Sequence, residues 1–237
     1  MLIYGAEVHR VEDSIQRMCK SLDCRRVDVF IITSSMVVTV CNENGESHTR
    51  TRRIKYITVD LEKLHLLNTL SRKICEKKID INNAQKEYLV ILQTKSYPLW
   101  MEFICYAVIA GAFTLFFGGN LIEALFSLLL GATVRGITYL AEIGFKNKIL
   151  IKLLCSFAAT ALTFCGVKTG LLEAMDKVII GNIMTLIPGI GLTNSLRDLF
   201  TGDSIASILR FIDAVLTALG IAGGYFLFII LSGGIPK

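Results

Sequence analysis

Beyond Pro98 the sequence falls into long apolar runs separated by short polar breaks, and this pattern restricts the fold more than any other feature of the chain. About twenty apolar residues are what a helix needs to cross the hydrocarbon core of a bilayer. Lipid offers no hydrogen-bond partners, so such runs must satisfy their own backbone, as helices do. Five runs fit: 99–118, 121–140, 149–167, 178–193 and 205–231. Trp100 and Tyr106 suit interfacial anchoring near the start of the first, and Gly118-Gly119-Asn120 makes a very tight turn after it. Gly220, Gly223 and Gly224 thin the last run for close helix contact.

The residues before Pro98 differ in character. Sixteen of the 25 Lys and Arg and twelve of the 20 Asp and Glu lie there, a balance of +4. The whole chain is 53% hydrophobic, with a mean hydropathy of +0.57, far from an ordinary soluble domain. The expected fold is therefore a membrane protein: a small cytoplasmic α+β domain over 1–96, then an all-α bundle of about five transmembrane helices over 97–237. The boundary falls near Ser96-Tyr97-Pro98.

Within the first part, Tyr4, Val8, Val11, Ile15, Met18 and Leu22 step by four and three, predicting an amphipathic helix from Tyr4 to Leu22. Val27–Thr33 and Met36–Cys41 are rich in β-branched residues and read as strands. Asn42-Glu43-Asn44-Gly45 predicts a turn joining the second strand to Ser47–Lys55 in a hairpin. Asp60 is placed to cap a second helix with Leu61, Leu64, Leu67, Leu70 and Ile74 on its apolar face. A third helix is expected from about Asn83 toward Lys95.

Chemistry in this part is sparse. His9, His48 and His65 are isolated, no metal-ligand spacing occurs, and no nucleophile–base pair is readable, so neither an enzyme nor a metal or other cofactor is expected. The seven cysteines lack CxxC spacing and read as reduced, packed thiols. Arg50, Arg52, Arg53 and Lys55 alternate with Thr in a strand rather than forming a basic stripe, which argues against nucleic acid and fits a surface near anionic lipid headgroups. The opening MLIYGAEVHRVEDS turns charged within ten residues, so no signal peptide is expected.

Lys and Arg are absent from the first turn between spans, whereas Lys146 and Lys148 lie in the second. Positive charge favours the cytoplasmic side, so the N-terminus is expected inside and the protein in the plasma membrane as a multi-pass chain.

Gly181 to Asp203 (GNIMTLIPGIGLTNSLRDLFTGD) is the chemically suggestive stretch. Pro188 removes a backbone donor and breaks the helix, while Gly189 and Gly191 let backbone approach a ligand. Broken helices are where secondary transporters place substrate and ions. Asn194, Arg197 and Asp198 follow as candidate substrate-binding or gating groups. An ionised side chain costs at least roughly 2.5–3.5 kcal/mol at the bilayer centre, so intramembrane charges are candidates by default. Asp213, about eight residues into the last run, is the first choice for proton coupling, with Glu123 and Arg135 weaker candidates that could instead anchor span ends, as could Glu102.

The residues also carry a resemblance. GAEVHRVEDSIQRM (Gly5–Met18), DVFIITSSMVVTV, TRTRRI and DLEKLHLLNTLSRKI, then GNIMTLIPGIGLTNSLRDLFTGDSIASILRFIDAVLTALGIAGG, resemble in order and spacing the N-terminal module of the threonine/serine exporter family. The resemblance covers almost the whole chain. It implies a cytoplasmic domain followed by five spans. Because no second module follows, it also implies a separate membrane subunit supplying the other half. Split members of the family are associated with small metabolites, including dicarboxylates such as succinate.

Two readings remain at this point. One is a subunit of a proton-coupled secondary transporter exporting threonine, serine or a small carboxylate. The other is a membrane-anchored sensor or scaffold acting through its cytoplasmic domain. No GxxxxGK[ST] loop is present, which argues against an ATP-driven pump.

Overall fold

The structure is a computed structural model that describes residues 1–42, 44–94, 97–145 and 147–234. Expectations that touch Glu43 in the hairpin turn, Lys95 and Ser96 at the boundary, Lys146 between two spans, and residues 235–237 lie outside the described residues. The chain divides into two compact units, Met1–Ser96 with Gly189–Ile212, and Tyr97–Pro188 with Asp213–Lys237. The first unit thus takes in Gly189–Ile212, which includes the end of the expected span 178–193 and the start of the expected span 205–231.

In the first unit, Leu2–Tyr4 forms a 3-10 turn and the helix α1 runs only over Val8–Ser21. The apolar spacing predicted a helix from Tyr4, but Gly5 adopts φ 92°, a left-handed conformation that ends the turn and separates it from the helix. Val8 and Val11 of the predicted apolar face are buried with Leu2, Ala6, Ile31 and Ile54. Strands β1 (Arg26–Ile32), β2 (Ser35–Cys41) and β3 (Ser47–Arg53) form an antiparallel sheet in that order. Ile32 pairs with Ser35, a tight two-residue hairpin, and Cys41 with Ser47 across a longer loop. The second closes as Asn42 Oδ1 accepts from the Glu46 amide at 2.9 Å, with Gly45 at φ 84°. Strand β3 is exposed along its length, and its three arginines sit on a free sheet edge, where charge opposes edge-to-edge pairing.

Helix α2 (Leu61–Cys75) begins as predicted, with Asp60 Oδ1 accepting from the Lys63 amide at 2.9 Å. It packs Leu67 and Leu70 against Ala84 and Ile91 of α3 (Ile81–Gln93).

The second unit contains α4 (Leu99–Phe116), α5 (Leu121–Gly144), α6 (Lys148–Lys168) and the short α7 (Met175–Ile183). Helix α8 (Gly189–Phe200) belongs to the first unit, and the long α9 (Ser204–Leu231) gives its first nine residues to the first unit and the remainder to the second. Among the described residues four helices, α4, α5, α6 and α9, are long and apolar enough to cross a membrane, where the hydropathy pattern predicted five. The expected span at 178–193 is instead α7, a turn closed by Leu186 N–H donating to Ile183 O at 2.8 Å, and then α8. Pro188, with no N–H to donate, precedes α8 and fits the break predicted there.

Leu130 and Val134 of α5, Ile151, Cys155 and Ala159 of α6, Val178 of α7 and Ile221 of α9 form the core of this unit. Outward-facing leucines such as Leu129 and Leu140 are about 70% exposed (73% and 68%), a distribution suited to lipid and not to water. The expected thin face of α9 is real at two of three glycines. A Cβ on Gly220 would lie 2.8 Å from Ile149 Cγ2, and one on Gly224 only 2.2 Å from Leu153 O, while Gly223 has ordinary clearance.

Candidate functional site

The α8–α9 corner folds onto the opening of the chain. Helix α8 breaks at Thr201–Asp203, where Gly202 adopts φ 95° and the Asp203 amide donates to Asp198 O at 2.9 Å. The turn brings Ser207 of α9 back to Ser195 of α8, hydroxyl to carbonyl at 2.6 Å. Asn194, Arg197, Asp198 and Arg210 then share one face, and four consecutive residues of the chain's opening meet them.

Asn194 Nδ2 donates to Gly5 O at 2.9 Å, and Arg210 Nη2 donates to Ala6 O at 2.7 Å. Arg197 Nη1 pairs with Glu7 Oε1, and the Val8 amide donates to Asp198 Oδ1 at 3.1 Å. The last contact stands in for a helix cap. Glu7, at the N-cap position of α1, makes no side-chain capping bond, so Asp198, 190 residues away in sequence, satisfies the first amide instead. A carboxylate there also complements the positive end of the helix dipole.

Asp198 is fully buried and Arg210 is 8% exposed. Arg210 Nε lies 3.4 Å from Asp198 Oδ2, and neither atom has a hydrogen-bond partner among the described residues. Burial pushes the Asp198 carboxyl above its ordinary range, against the pull of Arg210 and the Val8 amide, and Asp203 and Glu7 add to the rise. Burial and Asp203 push Glu12 the same way. The folded chain therefore keeps a proton at Asp198 over a range just above the ordinary value of 3.8, where the unfolded chain has released it. Stability falls as pH rises across that range and is level above it. Asp198→Asn should remove that share of the fall, read from denaturation midpoints of the purified chain against pH. Parallel profiles for the two proteins would contradict the assignment.

The second unit buries its own charges. Arg135 Nε donates to Glu102 Oε2 at 2.7 Å, and Arg135 Nη1 lies 3.6 Å from Glu142 Oε2. The guanidinium carbon stands 5.8 Å from the ring centroid of Tyr106 and 6.0 Å from that of Tyr139. Nη1 is buried without a hydrogen bond among the described residues, on the side facing Glu142. Glu142 in turn lines a cavity of about 360 Å³ between the end of α5 and the start of α6, with Thr138, Phe145, Lys148, Ile151 and Lys152. Acidic and basic groups thus share one small wall.

The candidates named from sequence divide clearly. Asn194, Arg197 and Asp198 are brought together, but their polar atoms are engaged with the chain's own backbone and Glu7. Gly189 and Gly191 have nothing within 4 Å of an added Cβ. Pro188 and Asp213 belong to the other unit. Asp213 is exposed, and its carboxylate makes no hydrogen bond or ion pair among the described residues. Glu123 is buried but structural: it forms a capping box with Asn120, and its other oxygen accepts from the Ala174 amide at 2.7 Å. Arg135 is a buried charge with partners.

Arg210, Glu142 and Lys152 were not singled out from sequence. Arg210 falls twelve residues after Asp198 across a turn, a spacing that does not by itself mark an ion pair. Glu142 and Lys152 flank a loop, and nothing in their spacing distinguishes them from ordinary interfacial charges.

The family model described as a threonine/serine exporter matches residues 1–232. No protein of curated function and no solved structure matches the chain.

Proposed function

The chain belongs to the threonine/serine exporter family, and from that premise we propose that it is one subunit of a proton-coupled secondary transporter in the plasma membrane, with its N-terminus cytoplasmic, that exports threonine and serine. The observation that carries the choice of substrate is the α5–α6 cavity. It offers Glu142 to an ammonium and Lys152 to a carboxylate, with the Thr138 hydroxyl beside them. Arg135 Nη1, lacking a hydrogen bond, reinforces the positive side. A zwitterionic amino acid with a hydroxyl side chain would set its ammonium at Glu142 and its carboxylate toward Lys148 and Lys152. A dicarboxylate such as succinate would leave Glu142 opposed by like charge, which favours the amino acid.

Asp213 supports the need for a second membrane subunit. An ionised carboxylate on the exposed face of a spanning helix is costly against lipid, and a covering protein surface relieves that cost. The α8–α9 corner, with its polar atoms already engaged, serves in this reading as a clasp holding α1 in place and not as the substrate's ligand set.

The test is efflux of labelled threonine and serine from cells expressing this chain with and without a membrane subunit of the complementary module. Efflux is expected only with both, and Glu142→Gln or Lys152→Gln should abolish it while the protein still inserts. Efflux of succinate but not threonine would overturn the substrate assignment, and robust efflux by the reconstituted chain alone would overturn the need for a partner.

A further inference from the structure

The first unit contains a second cavity, unconnected with any step of transport proposed above. It has a volume of about 570 Å³ and lies between α1 and α2. Its α1 wall is Arg10, Asp13, Ser14 and Arg17, and its α2 wall is Asn68, Ser71, Arg72 and Cys75. Both sets follow the i, i+3, i+4, i+7 spacing by which a helix normally presents apolar residues to a neighbour. Here two neighbouring helices turn polar stripes toward each other.

The floor is made by Ser14 and Ser71, 9% and 7% exposed, whose small side chains leave the space open. Each hydroxyl donates to a carbonyl of its own helix, Ser14 to Arg10 O and Ser71 to Asn68 O, both at 2.8 Å, which leaves the oxygens as acceptors. The acids at the cleft are already engaged. Asp13 holds Arg17 at 2.8 Å, and Glu76 holds Lys78. Arg10 and Arg72 form no ion pair among the described residues. Two guanidiniums with no ion-pair partner within 4 Å among the described residues thus flank a polar cleft whose acids each hold another cation, with Arg72 acting on Glu76 only from longer range.

We infer that this cleft binds a small dianion of carboxylate or phosphate type, gripped by Arg10 and Arg72. Guanidinium groups match the planar, two-oxygen faces of such anions, and charge-assisted bonds of this kind are the strong ones. Hydroxyl groups on the ligand would donate to Ser14 and Ser71. Because α1 carries one wall of the cleft and also the amide held by Asp198, occupancy would stiffen the helix to which the α8–α9 corner is fastened.

Cys75 on the cleft wall provides a local readout, with Cys19, Cys24 and Cys41 as internal references in the same full-length protein. Alkylation of each thiol would be followed by mass spectrometry, with inorganic phosphate and malonate as separate probes and sodium chloride at matched ionic strength as the control. Slowed alkylation of Cys75 alone is expected with at least one probe, and which probe protects at lower concentration separates phosphate from carboxylate ligands. Arg10→Gln or Arg72→Gln should raise the protecting concentration about tenfold or more, the worth of one charge-assisted hydrogen bond. Equal protection by sodium chloride, protection by neither probe, or unchanged protection in both variants would overturn the inference.

Discussion

Replacing Asp198 with alanine should destabilise the first unit by about 3–5 kcal/mol, the cost of breaking a buried ion pair from one side. Arg210, only 8% exposed, would keep its charge and lose its ion-pair partner, whose carboxylate lies 3.4 Å from its Nε. The Val8 amide would lose the acceptor that caps α1, an unsatisfied group costing about 1–3 kcal/mol in its own right. Asp198→Asn should cost less, because an amide oxygen can still accept from Val8. Asp198→Leu combined with Arg210→Met should recover much of the loss, since apolar residues of similar size often replace a buried pair without penalty. Denaturant titration of the purified chain measures the series. Equal stability of the alanine variant and the wild type would show that the pair does not hold the corner.

Gly181→Val should strongly destabilise the second unit. A Cβ at Gly181 would stand 2.2 Å from Thr114 Oγ1, 2.8 Å from Thr114 N and 2.9 Å from Ala110 O. Two of these atoms are helix backbone, and the third is fixed by its contact with Ser127 Oγ at 2.7 Å, so α7 must move away from α4. Overpacking of this kind costs about 1–3 kcal/mol, more where backbone cannot yield. Gly191→Ala is the matched control. With nothing within 4 Å and a helical backbone around it, the added methyl should leave stability unchanged or raise it by up to about 1 kcal/mol. Thermal melting in detergent compares the two, and efflux measured on the same variants tests whether Gly191 must admit a close ligand. An intact melting profile for Gly181→Val would refute the packing argument.

The sequence by itself determined the membrane character, the basic lead domain, most element boundaries and the family. Asp60 capping α2 was legible because a cap acts on an amide three residues away. The three strands were legible from β-branched runs and turn residues that lie within a few positions of each other. The break at Pro188 was legible because proline acts on its own turn.

What only the tertiary structure decided depends on partners far apart in the chain. Asn194, Arg197 and Asp198 looked like ligands for a substrate because a polar residue carries no mark of what it will meet. Their partners prove to be Gly5, Glu7 and Val8, about 190 residues earlier. Hydropathy could not foresee that Gly189–Ile212 would join the N-terminal unit, since an apolar helix buries against protein or lipid by the same physics. Nor could it tell that one 16-residue run would fold as two short helices, so that four spanning helices stand where five were expected. Depth in an apolar run placed Asp213 within a span, but which face of a helix is covered is decided by its neighbours, and in this chain Asp213 is exposed.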